Sequence, residues 1–220
     1  DTLPTLDYSD YMHTDAGMRA WIEAIQLHGV VLLRGVPAQP GQLLDVARRI
    51  GPVRPSNFGE YYDVVSMPNP NASAYTSMGL ELHTDLANWN SPPDVQLLFC
   101  IRSSVRGGES LFADGFKVAT DLRARDPEAF RLLSSHPMDF RFHDDACDIR
   151  ASAPTIVLDG NGRITRVRFN NWLRAPMSLP EPLIEPMYAA LGTFWNMLRD
   201  PGYHLNLRLD PGCLIAYNNN

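Results

Sequence analysis

The chain has 220 residues, enough for one domain with a sizeable core. Its hydrophobic share of 45% contains no apolar run of membrane-spanning length, and its net charge of −6 argues against a nucleic acid or an anionic membrane as partner. Cys100, Cys147 and Cys213 are odd in number and widely spaced, so they suggest neither a disulfide nor a zinc framework and point to a reducing, cytoplasmic setting.

The stretch from Asp1 to Met12 reads as a turn-rich entry. Thr14-Asp15 suits the cap of a helix from about Ala16 to Leu27, with Met18, Trp21, Ile22 and Ile25 on one face and Gly29 as its stop. Val30 to Gly35 reads as a buried strand. A second helix follows Gln39-Pro40 through Leu43, Leu44, Val46 and Ile50 and ends at Gly51-Pro52. Val64-Val65 is strand-like, and Pro68 to Asn71 is a loop.

Gly79-Leu80-Glu81-Leu82 reads as a strand entering His83-Thr84-Asp85. Alternate residues of a strand share a face, so His83 and Asp85 would aim an imidazole nitrogen and a carboxylate oxygen at one point. That is two-thirds of a 2-His-1-carboxylate triad, the donor set that holds Fe(II) with positions left open for a co-substrate and oxygen. Ser91-Pro92-Pro93 then breaks the chain, Val95 to Ile101 is a buried-strand run, and Gly107-Gly108-Glu109-Ser110 turns into a strand from Leu111 to Gly115.

Further on, Asp126-Pro127-Glu128 starts a helix through Leu133, and Asp139 to Arg150 reads as a polar loop or edge element. Ile156–Leu158 and Ile164–Phe169 flank Asp159-Gly160-Asn161-Gly162 as a hairpin. Pro182 to Leu198 has helical spacing. Leu205–Leu209 and Leu214–Tyr217 are strands around the Asp210-Pro211-Gly212 turn. The fold class is therefore mainly β with flanking helices, consistent with one double-stranded β-helix, or jelly roll.

Taken together, His83-Thr84-Asp85, Pro92-Pro93 with Val95-Gln96-Leu97-Leu98, Gly107 to Ser110, Asp114-Gly115-Phe116, Phe169-Asn170-Asn171, Tyr188 to Leu191 and Pro211-Gly212 resemble the Fe(II)/2-oxoglutarate dioxygenases of the taurine dioxygenase type, and within them the γ-butyrobetaine hydroxylase branch. The resemblance implies a jelly roll, with iron, 2-oxoglutarate and O₂ as cofactors and ascorbate as reductant. It makes His83 and Asp85 iron ligands. It implies a distal His about a dozen residues after the Pro-Gly turn, which counting from Gly212 places beyond Asn220, and an arginine later still. His143 and His204 are read as ordinary surface or packing histidines.

By the same resemblance Ser110 donates to the 2-oxoglutarate carboxylate, and Phe58, Tyr62 and Tyr75 form an aromatic cage for a trimethylammonium group, which has no N–H and is bound through ring faces. Asn170 is matched to a residue that holds the substrate carboxylate; Arg168 and Arg174 flank it and would suit an anionic group such as a phosphonate. Phe58 and Tyr62 depart from the Tyr and Trp of the mammalian pattern, and Ala72 stands where an Asn is usual. Residues 1–220 are expected to be one catalytic domain cut at both ends, with a family-type N-terminal domain and the C-terminal end outside it, and the whole to be a homodimer. The implied reaction is hydroxylation of a small trimethylammonium zwitterion, first γ-butyrobetaine to carnitine. Alternatives are trimethyllysine, trimethylaminoethylphosphonate, or a jelly roll that binds without turnover.

Overall fold

Thr14 opens the first long helix. Its hydroxyl accepts the Gly17 N–H at 2.9 Å, a side-chain N-cap, and Gly29 closes the helix in the left-handed region, its N–H reaching the Ile25 carbonyl. The computed structural model describes residues 3–64, 79–103 and 107–220. These fold as two compact units, one of Asp1–Tyr62, Asp94–Ser110 and Asn206–Asn219, the other of Asp63–Pro93, Leu111–Leu205 and Asn220. No helix among the described residues is long and apolar enough to cross a membrane.

The first unit runs β1 (Thr5–Asp7), α1 (Tyr8–His13), α2 (Asp15–His28), β2 (Val30–Arg34) and α3 (Gln42–Ile50), then takes in β3 (Val95–Phe99) and, in chain order the last strand, β10 (Leu214–Asn218). Its sheet has the order β1-β2-β10-β3, with β1 parallel to β2 and β10 antiparallel to both of its neighbours. Tyr11, Trp21, Val31, Leu33, Val46, Leu214 and Ala216 make the core between helices and sheet. The Tyr11 hydroxyl donates to the Val46 carbonyl at 2.7 Å, which satisfies the one polar atom this ring buries. Gly17 is required by packing: a Cβ there would lie 2.3 Å from the Asp10 carbonyl oxygen.

The entry to β10 is a designed corner. Cys213 N–H closes a turn on the Asp210 carbonyl at 2.9 Å, with Pro211 and Gly212 at its centre and Gly212 at φ +86°. Gly212 N–H reaches the Cys100 carbonyl while Cys100 N–H reaches the Cys213 carbonyl, both at 3.0 Å. Two residues thus oppose one, which is a glycine-type β-bulge that sets the register of β10 against β3.

The second unit is centred on three helices. These are α4 (Gly115–Arg125), α5 (Pro127–Ser135) and α6 (Glu181–Leu198). Asp114 caps α4 by accepting the Phe116 and Lys117 N–H groups, and Asp126 caps α5 ahead of Pro127. Val118, Leu122, Leu133, Met187, Phe194 and their neighbours form its core with Ile156, Val167 and Phe169. Two hairpins lie around it: β5 (Pro137–His143) with β6 (Asp148–Pro154), and β7 (Ile156–Leu158) with β8 (Ile164–Val167). β4 (Ser110–Ala113) pairs with β9 (His204–Leu207).

Several expectations are corrected. Of the two readings of Asp139 to Arg150, the loop is wrong and the edge element holds: it is most of the two-stranded β5–β6 hairpin, in which Met138, Phe140 and Phe142 alternate inward. The period of two was present and was masked by the charged outward residues. Gly79 to Asp85 is not a strand; its backbone is irregular. The strand after Ser110 ends at Ala113, because Asp114 caps a helix that the sequence reading passed over. Val65 and Pro68 to Asn71 lie outside the described residues.

Replacing Gly212 by Ala places a Cβ 3.1 Å from the Val36 carbonyl in a left-handed conformation that costs an L-residue about 1–2 kcal/mol. The variant is expected to lose at least that much stability in urea unfolding with an unchanged m-value.

Candidate active site

In the second unit the backbone around Thr84 makes the hydrogen bonds that a strand would have made with a neighbour. Thr84 N–H donates to the Phe169 carbonyl at 2.7 Å, and Phe169 N–H returns to the Thr84 hydroxyl at 3.0 Å. The Asn170 amide then donates to the Thr84 carbonyl at 3.2 Å. Phe169 is buried and its ring meets Phe194 of α6 edge-on at 5.5 Å. The segment after it is strapped to β5 through Arg141 N–H to the Leu173 carbonyl and Ala175 N–H to the Asp139 carbonyl. The triplet is therefore fixed to the core through the residue between its two functional side chains.

The chain leaves the triplet through a tight turn. Leu86 stands at φ +54°, the one non-glycine residue with positive φ among the described residues, and Trp89 N–H closes on its carbonyl at 2.9 Å. The buried Arg168 guanidinium donates to the carbonyls of Ala87, Trp89 and Asn90 at 3.2–3.4 Å. Burial, and secondarily the nearby Arg166 charge, pull the Arg168 pKa below the ordinary arginine range. Arg168 thus holds the turn through main-chain oxygens.

With its backbone fixed, the triplet brings His83 Nε2 to 3.3 Å from Asp85 Oδ1. The other ring nitrogen of His83, Nδ1, lies 2.7 Å from the Glu81 carbonyl, to which it donates. That bond assigns the proton to Nδ1 and turns the Nε2 lone pair toward Asp85. A lone pair and a carboxylate oxygen at that distance need a proton or a cation between them. The separation is close to the roughly 3 Å between neighbouring donors of one six-coordinate ion. The side chains are 23% and 27% exposed, so the pair is open to solvent. Burial lowers the His83 pKa, but the hydrogen bond and charge of Asp85 and the Glu81 carbonyl outweigh it, and the net shift is upward.

One nitrogen and one carboxylate oxygen suit Fe(II). Among the described residues no third His, Cys, Asp or Glu joins them. His143 ends β5 on an exposed position, and His204 Nε2 sits 2.7 Å from the Leu198 carbonyl. Neither joins the pair.

The other candidates fall as follows. Asn170 is buried, and besides its bond to Thr84 its side-chain oxygen accepts the Trp172 and Leu173 N–H groups at 3.0 and 3.1 Å. Phe58 and Tyr62, in the first unit, stand together with ring centroids 5.6 Å apart. Ser110 opens β4, half-buried, and is assigned to the first unit. Tyr75 lies outside the described residues. Two residues were missed by sequence reasoning. Trp172, 40% exposed, meets the His83 ring edge-on at 5.7 Å. Glu81 orients His83 through its carbonyl, and a main-chain acceptor carries no residue-type signal.

Comparison with known proteins matches residues 2–220 to the family described as "Taurine catabolism dioxygenase TauD, TfdA family". The chain is 38% identical over 218 residues to the γ-butyrobetaine dioxygenase of Pseudomonas sp. (strain AK-1), covering 99% of this chain and 57% of that protein. It is 34% identical over 221 residues to the human γ-butyrobetaine dioxygenase, with the same coverage of each. The chain therefore spans a little over half the length of the curated relatives it matches. A putative α-ketoglutarate-dependent taurine dioxygenase from Burkholderia xenovorans superposes with a TM-score of 0.73 at 13% identity, over all of this chain and 80% of that one, a likeness of fold.

The raised His83 pKa fixes the sign of two pH effects. Without metal, the stability it contributes is fully present below the unfolded value of about 6.5 and is lost as pH rises through the higher folded value. A divalent ion needs that proton gone, so affinity for Co(II) is expected to rise with pH over the same window. Urea unfolding and Co(II) titration between pH 5.5 and 8.5 check both trends, and H83A should flatten them.

Proposed function

Because the chain belongs to the TauD/TfdA dioxygenase family, we propose that it is the main part of the catalytic domain of an Fe(II)/2-oxoglutarate-dependent dioxygenase. The observation that carries this reading is the convergence of His83 Nε2 and Asp85 Oδ1 on one point, with the His83 tautomer set by the Glu81 carbonyl. His83 and Asp85 hold the metal. When bound, the iron couples decarboxylation of 2-oxoglutarate and reduction of O₂ to hydroxylation of an unactivated C–H bond. Two protein donors hold Fe(II) weakly, and the triad calls for a third ligand that the described residues do not supply.

The chain's own residues orient and exclude. Thr84, Phe169 and Asn170 keep the two donors in place. Ser110 donates to the co-substrate's far carboxylate. The substrate is a small trimethylammonium zwitterion, γ-butyrobetaine in the first place, and the product carnitine. The identity to γ-butyrobetaine dioxygenases supports that choice. Tyr75, Phe58 and Tyr62 supply ring faces to the quaternary nitrogen, and the adjacency of Phe58 and Tyr62 supports their acting as a pair. Asn170 keeps one amide hydrogen for the substrate carboxylate. The architecture is a jelly roll, the full protein a cytoplasmic homodimer, and ascorbate its reductant. Trimethyllysine and trimethylaminoethylphosphonate are the alternative substrates.

In the full-length protein, H83A or D85A is expected to abolish succinate formation from 2-oxoglutarate with little change in the far-UV circular dichroism spectrum. Turnover near the wild-type rate in either variant would remove the two residues from the iron site. Binding of γ-butyrobetaine with no succinate formed by the intact, iron-loaded protein would favour a non-catalytic binding module.

Tyr75→Leu is expected to weaken binding of the trimethylammonium substrate by about 0.5–2 kcal/mol, the range of a cation–π contact. Calorimetry against a neutral tert-butyl isostere separates charge from shape, since the isostere should lose much less.

A further inference from the structure

The same residue whose carbonyl holds His83 is itself held by its side chain. Glu81 Oε2 accepts the Trp195 indole N–H at 2.7 Å. Glu81 Oε1 accepts from the Arg199 guanidinium, through Nε at 3.1 Å and also through Nη2. Both carboxylate oxygens are thus occupied by donors from one helix end. The two donors are four residues apart in and just after α6, on one side of the helix, and the Arg199 guanidinium lies over the Trp195 ring at 3.9 Å. Trp195 packs against the core of the second unit, so this pair of donors is presented by a rigid support.

We propose that Glu81 is a positioning residue for the metal site, and that the Trp195–Arg199 pair acts through it. The proposal rests on the reading of His83 as a metal ligand. An exposed ion pair is worth little for stability, and half of the Arg199 side chain is open to solvent. Its consequence here is directional. Residues 79–85 have no regular strand to fix them, so the Glu81 carbonyl is aimed by what its own side chain grips. That carbonyl donates nothing to the metal; it accepts the Nδ1–H hydrogen bond and so leaves the in-plane lone pair on Nε2. Releasing the carboxylate frees the carbonyl to turn and lets the imidazole rotate or change tautomer.

The test uses the full-length protein with Co(II) alone as probe, read by its ligand-field absorption and by calorimetry. Wild-type protein should bind Co(II), and H83A should lose that binding. E81A is expected to weaken Co(II) affinity about tenfold, as removal of a partner behind a metal-bound histidine does, and to alter the ligand-field bands. W195F keeps an aromatic six-membered ring but loses the indole N–H together with the five-membered ring that carries it, so it should show part of the same loss. E81Q keeps an acceptor for the indole and should recover much of the affinity. The E81A/W195F double variant should be no worse than E81A, because both act through one carbonyl. Affinity and bands unchanged within twofold in both E81A and W195F would overturn the proposal, whatever their melting temperatures. If wild type binds Co(II) no better than H83A, the metal-site reading itself fails and the positioning role falls with it.

Discussion

The second unit depends on the reciprocal pairing of Thr84 with Phe169. Two side-chain donors separated by one residue keep a common aim only if the backbone between them does not move, and this stretch has no strand partner along its length. Three hydrogen bonds between the same two residues, one through the main chain and two through the threonine hydroxyl, substitute for a ladder. Phe169 transmits the constraint into the core because its own ring is buried against α6. The residue type at position 84 is accordingly not free. A valine of the same shape would keep the volume and strand the Phe169 N–H, at the roughly 1–3 kcal/mol cost of an unmade buried bond.

The turn that follows carries strain and an unusual charge. Leu86 in the left-handed region costs about 1–2 kcal/mol relative to glycine there, and such outliers persist where the surroundings over-determine them. The over-determination is Arg168, which spends its guanidinium on three carbonyls of the turn. Both terminal nitrogens of Arg168 are directed to main-chain oxygens, while its Nε–H has no hydrogen-bond partner among the described residues. Asn88 and Asn171 lie in the same two segments, with buried side-chain amide atoms that lack hydrogen-bond partners among the described residues. The polar groups of this region are thus satisfied unevenly, the main-chain carbonyls by Arg168 and these two amides not at all.

The sequence was informative where one residue type has one physical use. His83-Thr84-Asp85 was legible because few pairings of residue types can make a metal donor set, and Pro211-Gly212 because the pair is strongly favoured in a turn whose third residue has positive φ. The helices with side-chain caps at Thr14 and Asp126 were legible for the same reason. The β5–β6 hairpin was lost because Asp139, Arg141 and Asp148 drew attention to charge and away from the alternation of Met138, Phe140 and Phe142. Helix α4 was lost because Asp114-Gly115-Phe116 was treated as a family signature and not as a cap. The strand assigned to Gly79 through Leu82 reached a correct convergence by an incorrect route. The side chains meet through tertiary hydrogen bonds, not through the period of a strand. Asn170 shows the opposite limit: its type fits a carboxylate-binding role and a turn-capping role equally, and the folded chain shows it engaged in the second.

The arrangement also explains why the tautomer of His83 matters more than its distance to Asp85. A carboxylate keeps lone pairs on both oxygens and tolerates rotation, whereas a neutral imidazole offers one lone pair in one direction. If the Nδ1 proton were not held by the Glu81 carbonyl, the ring would exchange donor and acceptor and present a proton where a lone pair is needed. Asp85 favours that wrong state, since its charge stabilises a proton on the nearer nitrogen and raises the His83 pKa. A divalent ion on this pair would compete with the proton for the same atoms, and charge would settle the competition: such an ion gains twice the Coulomb attraction of a proton's single charge but must shed water to reach it. A site built this way binds its ion best when the pair is rigid and the solution is not acidic. The backbone grip on Thr84 supplies the rigidity, which the carboxylate and imidazole do not supply for themselves.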